Sequence, residues 1–213
     1  MSADDEKRLA AEAAAELIED GMAVGLGTGS TVAHLLPAIA RRDLKDIRCV
    51  ATSVATEQQA HELGIPVEEF DELQRLDIAI DGTDQVTPDG WLVKGGGGAH
   101  LREKIVAAAA ERFVVVADSG KAVDRLTPPV PLELFAFGLR STLARLGQDV
   151  KLRDAPRSPD GGVIADYGGE VGDPAALAAR LEADPGVAAH GLFAPAMVSD
   201  VLVGRGSAVD TSP

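Results

Sequence analysis

The order of apolar and polar positions divides the chain into two rhythms. In the first, short uninterrupted apolar runs alternate with segments of helical composition or spacing. DDEKRLAAEAAAELIED predicts a helix; Ser2 with Asp5 three residues on predicts a capping box, and Gly21 predicts its end. MAVGLG predicts a strand, a Gly/Thr/Ser turn follows, and TVAHLLPAIARR predicts a helix that Pro37 bends or makes irregular. The alternation continues with IRCVATS as strand, ATEQQAHELG as helix and IPVEEF as strand. LDIAIDG then reads as a strand delivering Asp81, and WLVKGG as a strand ending at Lys94. AHLREKIVAAAAE reads as a helix, and RFVVVADSGK as a strand running into a polar turn. Continuous apolar strands alternating with helices predict a mostly parallel, doubly wound α/β sheet.

The rhythm changes at the proline cluster TPPVPLE, residues 127–133. Beyond it come strand LELFAF, helix LRSTLARLG, strands DVKLRD and GGVIADYG, helix DPAALAARLEADPG and strand VAAHGLF. That β-α-β-β-α-β order predicts a smaller, ferredoxin-like α+β domain. We therefore expect a first domain over residues 1–130 and a second over 131–197, with 198–213, carrying the last apolar run, returning to the large sheet.

Composition narrows the picture. With 213 residues, 46% of them hydrophobic, the chain can bury a core unaided. No apolar run approaches bilayer length, and the acidic start MSADDEKRL lacks the order of a secretory signal, so a cytoplasmic, membrane-free protein is expected. Cys49 is the only cysteine, which excludes an internal disulfide and a cysteine zinc cluster; within IRCVAT a buried inert thiol is expected. A net charge of −14 argues against nucleic acid or an anionic membrane as partner. It suits a salt-rich cytoplasm, or simply an acidic mesophilic protein. Of six lysines, Lys94 stands directly beside glycines, where a cation can concentrate an anion.

Four junctions carry candidate chemistry. GLGTGST, residues 25–31, lies between a strand and a helix; its amides and the hydroxyls of Thr28, Ser30 and Thr31 suit an anion, or its glycines serve packing alone. It is neither a dinucleotide fingerprint nor a P-loop: Ser30 stands where a glycine is needed, and no Gly-Lys-Ser/Thr follows. IAIDGTDQV brings Asp81 and Asp84 to a strand end, as ligand groups or as a capped Asp-Gly turn. No histidine or third carboxylate stands at metal-ligand spacing beside them. KGGGGAHLREK, residues 94–104, sets Lys94 before four glycines and Glu103 in the next helix; a hinge and a solvated helix face are the plain alternatives. ADSGK offers Lys121 at a further strand end. Together, on one edge of one sheet, these junctions favour a site.

With those residues in hand, GTGST, IDGTDQV, KGGGGA with REK, and ADSGK make the chain resemble ribose-5-phosphate isomerases of the A type over nearly its full length. The resemblance implies a Rossmann-like domain bearing the site, a smaller α/β domain, and assembly as a homodimer or homotetramer. It implies an isomerase of ribose 5-phosphate and ribulose 5-phosphate that needs no metal or cofactor. On this resemblance Glu103 matches the general base, and Lys94 with the amides of Gly95, Gly96 and Gly97 would hold the developing oxyanion. Asp81 and Asp84, with Gly82 and Thr83 between them, match the sugar-binding stretch, and Asp81 would help open the ring. Thr28, Gly29, Ser30, Thr31 and Lys121, with Lys7, match phosphate and substrate contacts. Thr83, Gln85, Gly98, His100 and Gly120 depart from the commonest pattern; His100 is expected on the helix surface. Aminosugar-phosphate deaminases, CoA transferases and sugar-sensing repressor domains share the architecture, but a repressor needs a preceding DNA-binding motif for which residues 1–20 leave no room.

Overall fold

The computed structural model describes residues 2–212. Its helices are α1 (Ala3–Ala15), α2 (Val32–Arg41), α3 (Val54–Glu62), α4 (His100–Ala109), α5 (Leu139–Leu146) and α6 (Pro174–Glu182). Its first strands are β1 (Ala23–Leu26), β2 (Arg48–Ala51), β3 (Leu76–Gly82), β4 (Gln85–Val86), β5 (Leu92–Val93) and β6 (Ala110–Asp118). Then come β7 (Val130–Leu134), β8 (Val150–Leu152), β9 (Val163–Tyr167), β10 (Val187–His190), β11 (Leu192–Phe193), β12 (Asp200–Arg205) and β13 (Ala208–Ser212). None of the described helices is long and apolar enough to cross a membrane.

The chain forms two compact units. The first comprises the residues up to Thr83, Arg102–Ala122, and those from Ala196 on. Its six-stranded sheet has the order β13-β12-β6-β3-β1-β2, parallel throughout except for β13, which closes the edge as a hairpin with β12. The apolar runs lie where water is excluded: Val24, Leu26, Ile78, Ile80, Val114 and Val116 are almost wholly buried with Leu35, Leu36 and Ile39 of α2. Each such side chain contributes about 1.5–3 kcal/mol, so Ile80→Ala would cost roughly 2–5 kcal/mol. The alanines of α1 allow close approach: a Cβ at Gly204 of β12 would lie 2.0 Å from the Glu6 carbonyl oxygen.

Local signals held in most places. Ser2 Oγ accepts the Asp5 N–H at 3.2 Å, and Asp5 accepts the Ser2 N–H at 3.1 Å, completing the capping box. The helix nevertheless stops at Ala15, short of Gly21: Leu17 and Ile18 donate to Ala14 and Ala15 in i+3 turns, and the Arg42 guanidinium donates to the carbonyls of Ala15 and Ile18. Helix α2 continues through Pro37. IPVEEF does not form a strand: only Val67 bridges Cys49, and a 3₁₀ turn follows at Phe70–Glu72. Cys49 is buried, and burial pushes its thiol up to about 12, the inert state its setting predicts.

The second unit comprises Asp84–Leu101 and Val123–Pro195. Its antiparallel sheet has the order β10-β7-β9-β8 and, with α5 and α6, makes the ferredoxin-like arrangement. Leu132, Leu134, Ala165, Tyr167, Leu177 and Leu181 fill its core. Two boundaries shift. LELFAF is strand only to Leu134, leaving Phe135 and Phe137 outside it and exposed. VAAHGLF divides at Gly191, after which β11 leaves for a separate three-stranded sheet, β11-β5-β4. Gly191 serves both: its N–H donates to Pro131 at 2.7 Å and its carbonyl accepts the Lys94 N–H at 2.8 Å. A Cβ there would lie 2.1 Å from the Lys94 carbonyl oxygen, so only glycine permits the crossing.

Candidate active site

In the six-stranded sheet the strand order reverses at β1, the kind of switch point beyond whose C-terminal strand ends open α/β sheets bind ligands. Strand β1 runs into Gly27–Thr31 there. A Cβ at Gly27 would stand 1.9 Å from Asp81 Oδ1, so the turn and the carboxylate are built around each other. Asp81, 3% exposed at the end of β3, accepts the Thr28 N–H at 3.0 Å and the Gly82 N–H at 2.7 Å on that oxygen. Thr28 Oγ1 shares a 2.8 Å bond with Ser53, and Thr56 donates to the Gly27 carbonyl at 2.8 Å. Gly29 (φ +99°) turns the chain, and Thr31 leads into α2. The start of this ten-residue helix, lined by hydroxyls, suits an anion.

Two cations stand in the same unit. Lys7 of α1 donates to Ser30 Oγ at 3.1 Å and lies 4.0 Å from Asp118. Lys121 ends a 3₁₀ turn after β6, in which Asp118 accepts the Gly120 N–H at 2.9 Å. Glu6 braces this turn: its carboxylate accepts the Ser119 N–H at 3.0 Å, the Ser119 hydroxyl at 2.6 Å and the Gly206 N–H at 2.8 Å. Ser119's hydroxyl is the largest cause and the two amides add to it, bringing the carboxyl down to about 2. Glu6, Ser53 and Thr56 carried no signal in the sequence, because their partners lie 25 to 200 positions away.

Glu103 belongs to this unit too. On α4 the buried positions are His100, Glu103, Val106 and Ala107, the i, i+3, i+6, i+7 stripe of one helix face. Val106 explains that face: a Cβ at Gly25 of β1 would lie 2.5 Å from its Cγ1. Glu103 is 4% exposed on that stripe, and a carboxylate so buried is a candidate for function.

The second unit holds the other predicted residues. Lys94 follows β5, is 2% exposed, and places Nζ 5.6 Å from the Phe193 ring centroid, a cation–π contact. Its strand pairs antiparallel with β4 and β11 instead of joining the large sheet, which corrects the expectation that all the junctions share one sheet edge. Asp84 donates its N–H to Val93 at 2.9 Å, and its carboxylate accepts the Gly96 N–H at 2.8 Å. That amide, one of three proposed for an oxyanion, is thus already engaged. Gly95 takes φ +100°, and a Cβ on it would meet His100 Nδ1 at 2.6 Å. Packing against this glycine buries His100 completely, which corrects its expected surface position. Gly97 has open space where a Cβ would project. Gln85 both donates to and accepts from the Thr127 backbone at 2.8 Å, an exchange that a glutamate could not complete. Among the described residues no three His, Cys, Asp or Glu side chains are grouped to hold a metal.

Comparison with known proteins matches residues 48–208 to the family model for ribose 5-phosphate isomerase A (phosphoriboisomerase A). The chain is 45% identical over 223 aligned residues to a ribose-5-phosphate isomerase A of Caulobacter vibrioides, covering 98% of each chain. A crystal structure of ribose 5-phosphate isomerase A from Neisseria gonorrhoeae superposes with a TM-score of 0.93 at 32% identity, covering 99% of this chain and 96% of that one. A D-ribose-5-phosphate isomerase solved in complex with phospho-erythronic acid gives a TM-score of 0.92 at 33% identity, covering 100% and 99%.

Proposed function

Because the chain belongs to the ribose 5-phosphate isomerase A family, which interconverts ribose 5-phosphate and ribulose 5-phosphate, we propose that Glu103 is the general base of its aldose–ketose isomerisation. Glu103 takes the proton from C2 of the opened ribose and returns it to C1, while the O2 hydroxyl proton passes to O1. An enediolate forms between the two transfers, and its negative oxygen is met by Lys94 and the amides of Gly95 and Gly97. Asp81 and Asp84 receive sugar hydroxyls, and Asp81 additionally fixes Thr28. Thr28–Thr31, Lys7 and Lys121 receive the phosphate, consistent with the phosphorylated sugar acid bound by the solved relative.

The observation that carries this reading is the carboxylate of Glu103 on the buried stripe of α4, shielded from water where a general base would act. Glu103→Gln should reduce kcat by about 10²–10⁴-fold while leaving substrate binding intact. A variant turning over at the wild-type rate would remove Glu103 from the role. A cytoplasmic location, assembly as a homodimer or homotetramer, and no nucleic-acid partner complete the proposal. The net charge of −14 supports the last of these, and light scattering on the purified protein reads the assembly.

A further inference from the structure

Four consecutive glycines are the least self-ordering segment a chain can carry, yet amides that stabilise an oxyanion must be aimed before the reaction begins. A turn bond from the Gly98 N–H to the Gly95 carbonyl at 3.0 Å orders part of the loop, and a side chain of the second unit fixes the rest. Arg153 Nη1 donates to the Gly96 carbonyl at 2.8 Å and to the Gly95 carbonyl at 3.3 Å. The rest of its guanidinium grips Asp166 of β9, with Nε at 3.0 Å and Nη2 at 2.5 Å. Arg153 is itself set in the sheet, since its N–H donates to the Ile164 carbonyl at 2.9 Å. The planar fork therefore bridges a rigid hairpin and a glycine loop, a task that a point-charge ammonium performs poorly.

The consequence follows from the peptide plane. In a trans peptide the carbonyl of one residue and the N–H of the next point in opposite directions. Holding the Gly95 carbonyl turns the Gly96 N–H away from Arg153, and Asp84 accepts it at 2.8 Å on that far side. Holding the Gly96 carbonyl turns the Gly97 N–H away in the same sense. We infer that Arg153, braced by Asp166, is a positioning residue that clamps the Gly95 and Gly96 carbonyls and so presents the Gly97 amide to the enediolate oxygen. This inference rests on the proposed oxyanion role of the glycine amides.

Arg153→Ala tests it, with Arg153→Lys and Asp166→Asn as milder companions whose folding is less at risk. Each is measured for kcat, for KM toward ribose 5-phosphate, and for hydrogen exchange in the peptide spanning residues 94–98. Expected for Arg153→Ala are faster exchange at the glycine amides and a kcat lower by about 10²-fold, with KM changed less than about threefold, since misplacement by about 1 Å costs that much. Asp166→Asn should lose about tenfold in the same direction. Added guanidinium should restore part of the Arg153→Ala rate and none of the Asp166→Asn rate. Unchanged exchange in a folded Arg153→Ala protein would overturn the clamp, as would Arg153→Lys with wild-type kcat. Faster exchange with undiminished kcat would instead overturn the oxyanion role of the glycine amides, while Glu103→Gln reports separately on the base.

Discussion

The protein carries two glycine-rich loops, and they use glycine for opposite reasons. In Gly27–Thr31 the decisive residue is Gly27, whose missing Cβ is space already occupied by the Asp81 carboxylate. That loop is then tied down from within its unit by Asp81, Ser53 and Thr56. In Gly95–Gly98 the first glycine is likewise required, by its positive φ and by His100, but Gly97 meets nothing. The open side of Gly97 suits approach by a ligand, while the loop is held by its own bond from the Gly98 N–H to the Gly95 carbonyl at 3.0 Å, by Asp84 and by Arg153.

Four substitutions break or sharpen that contrast. The largest effect belongs to Gly27→Ala: a methyl cannot coexist with Asp81 at 1.9 Å, so Asp81 and Thr28 must move. Turnover should fall by about 10²-fold or more, accompanied by a lower melting temperature. Gly95→Ala comes next. Its φ of +100° and the close His100 ring are strained for any Cβ, and a left-handed residue costs about 1–2 kcal/mol. Calorimetry should show Tm lowered by roughly 2–8 °C. Gly97→Ala should leave stability within about 0.5 kcal/mol, yet lower kcat/KM by about tenfold as the methyl occupies substrate space. Wild-type kcat/KM in that variant would mean that no ligand packs against the loop.

The smallest effect concerns the third loop, Ser119–Lys121, which a carboxylate braces. Glu6 is held at about 2 against an ordinary 4.5, a lowered value. Its contribution to stability is therefore complete above pH 4.5 and is lost as pH falls from there towards 2. Glu6→Gln should lower Tm modestly at pH 7 and flatten the decline of Tm across that window. An unaltered acid limb would show that Ser119 and Gly206 hold the turn without help from the charge.

Much of this was legible because it is local. Apolar runs of strand length, helical spacing, the Ser2–Asp5 cap and the proline cluster each act within a few residues, and their outcome needs no distant partner. The candidate residues could be read for the same reason, since each sits in a short motif at a junction. Where expectation failed, a long-range contact took part: Arg42 holds carbonyls at the early end of α1, Gly191 transferred a strand between sheets, and Lys94 followed β5 into a small sheet of its own. His100, polar and next to a helix start, became buried because Gly95 made room for its ring.

The chain alone thus determined most of the segments that become strand or helix, and which polar side chains stand at their ends, since backbone sterics and solvent exclusion act on neighbours. Tertiary structure decided which of those groups are shielded, which amides are already spoken for, and that Arg153 and Glu6 matter at all. Those outcomes depend on hydrogen bonds closing over tens to hundreds of residues, and a one-dimensional pattern holds no record of which donor will find which acceptor.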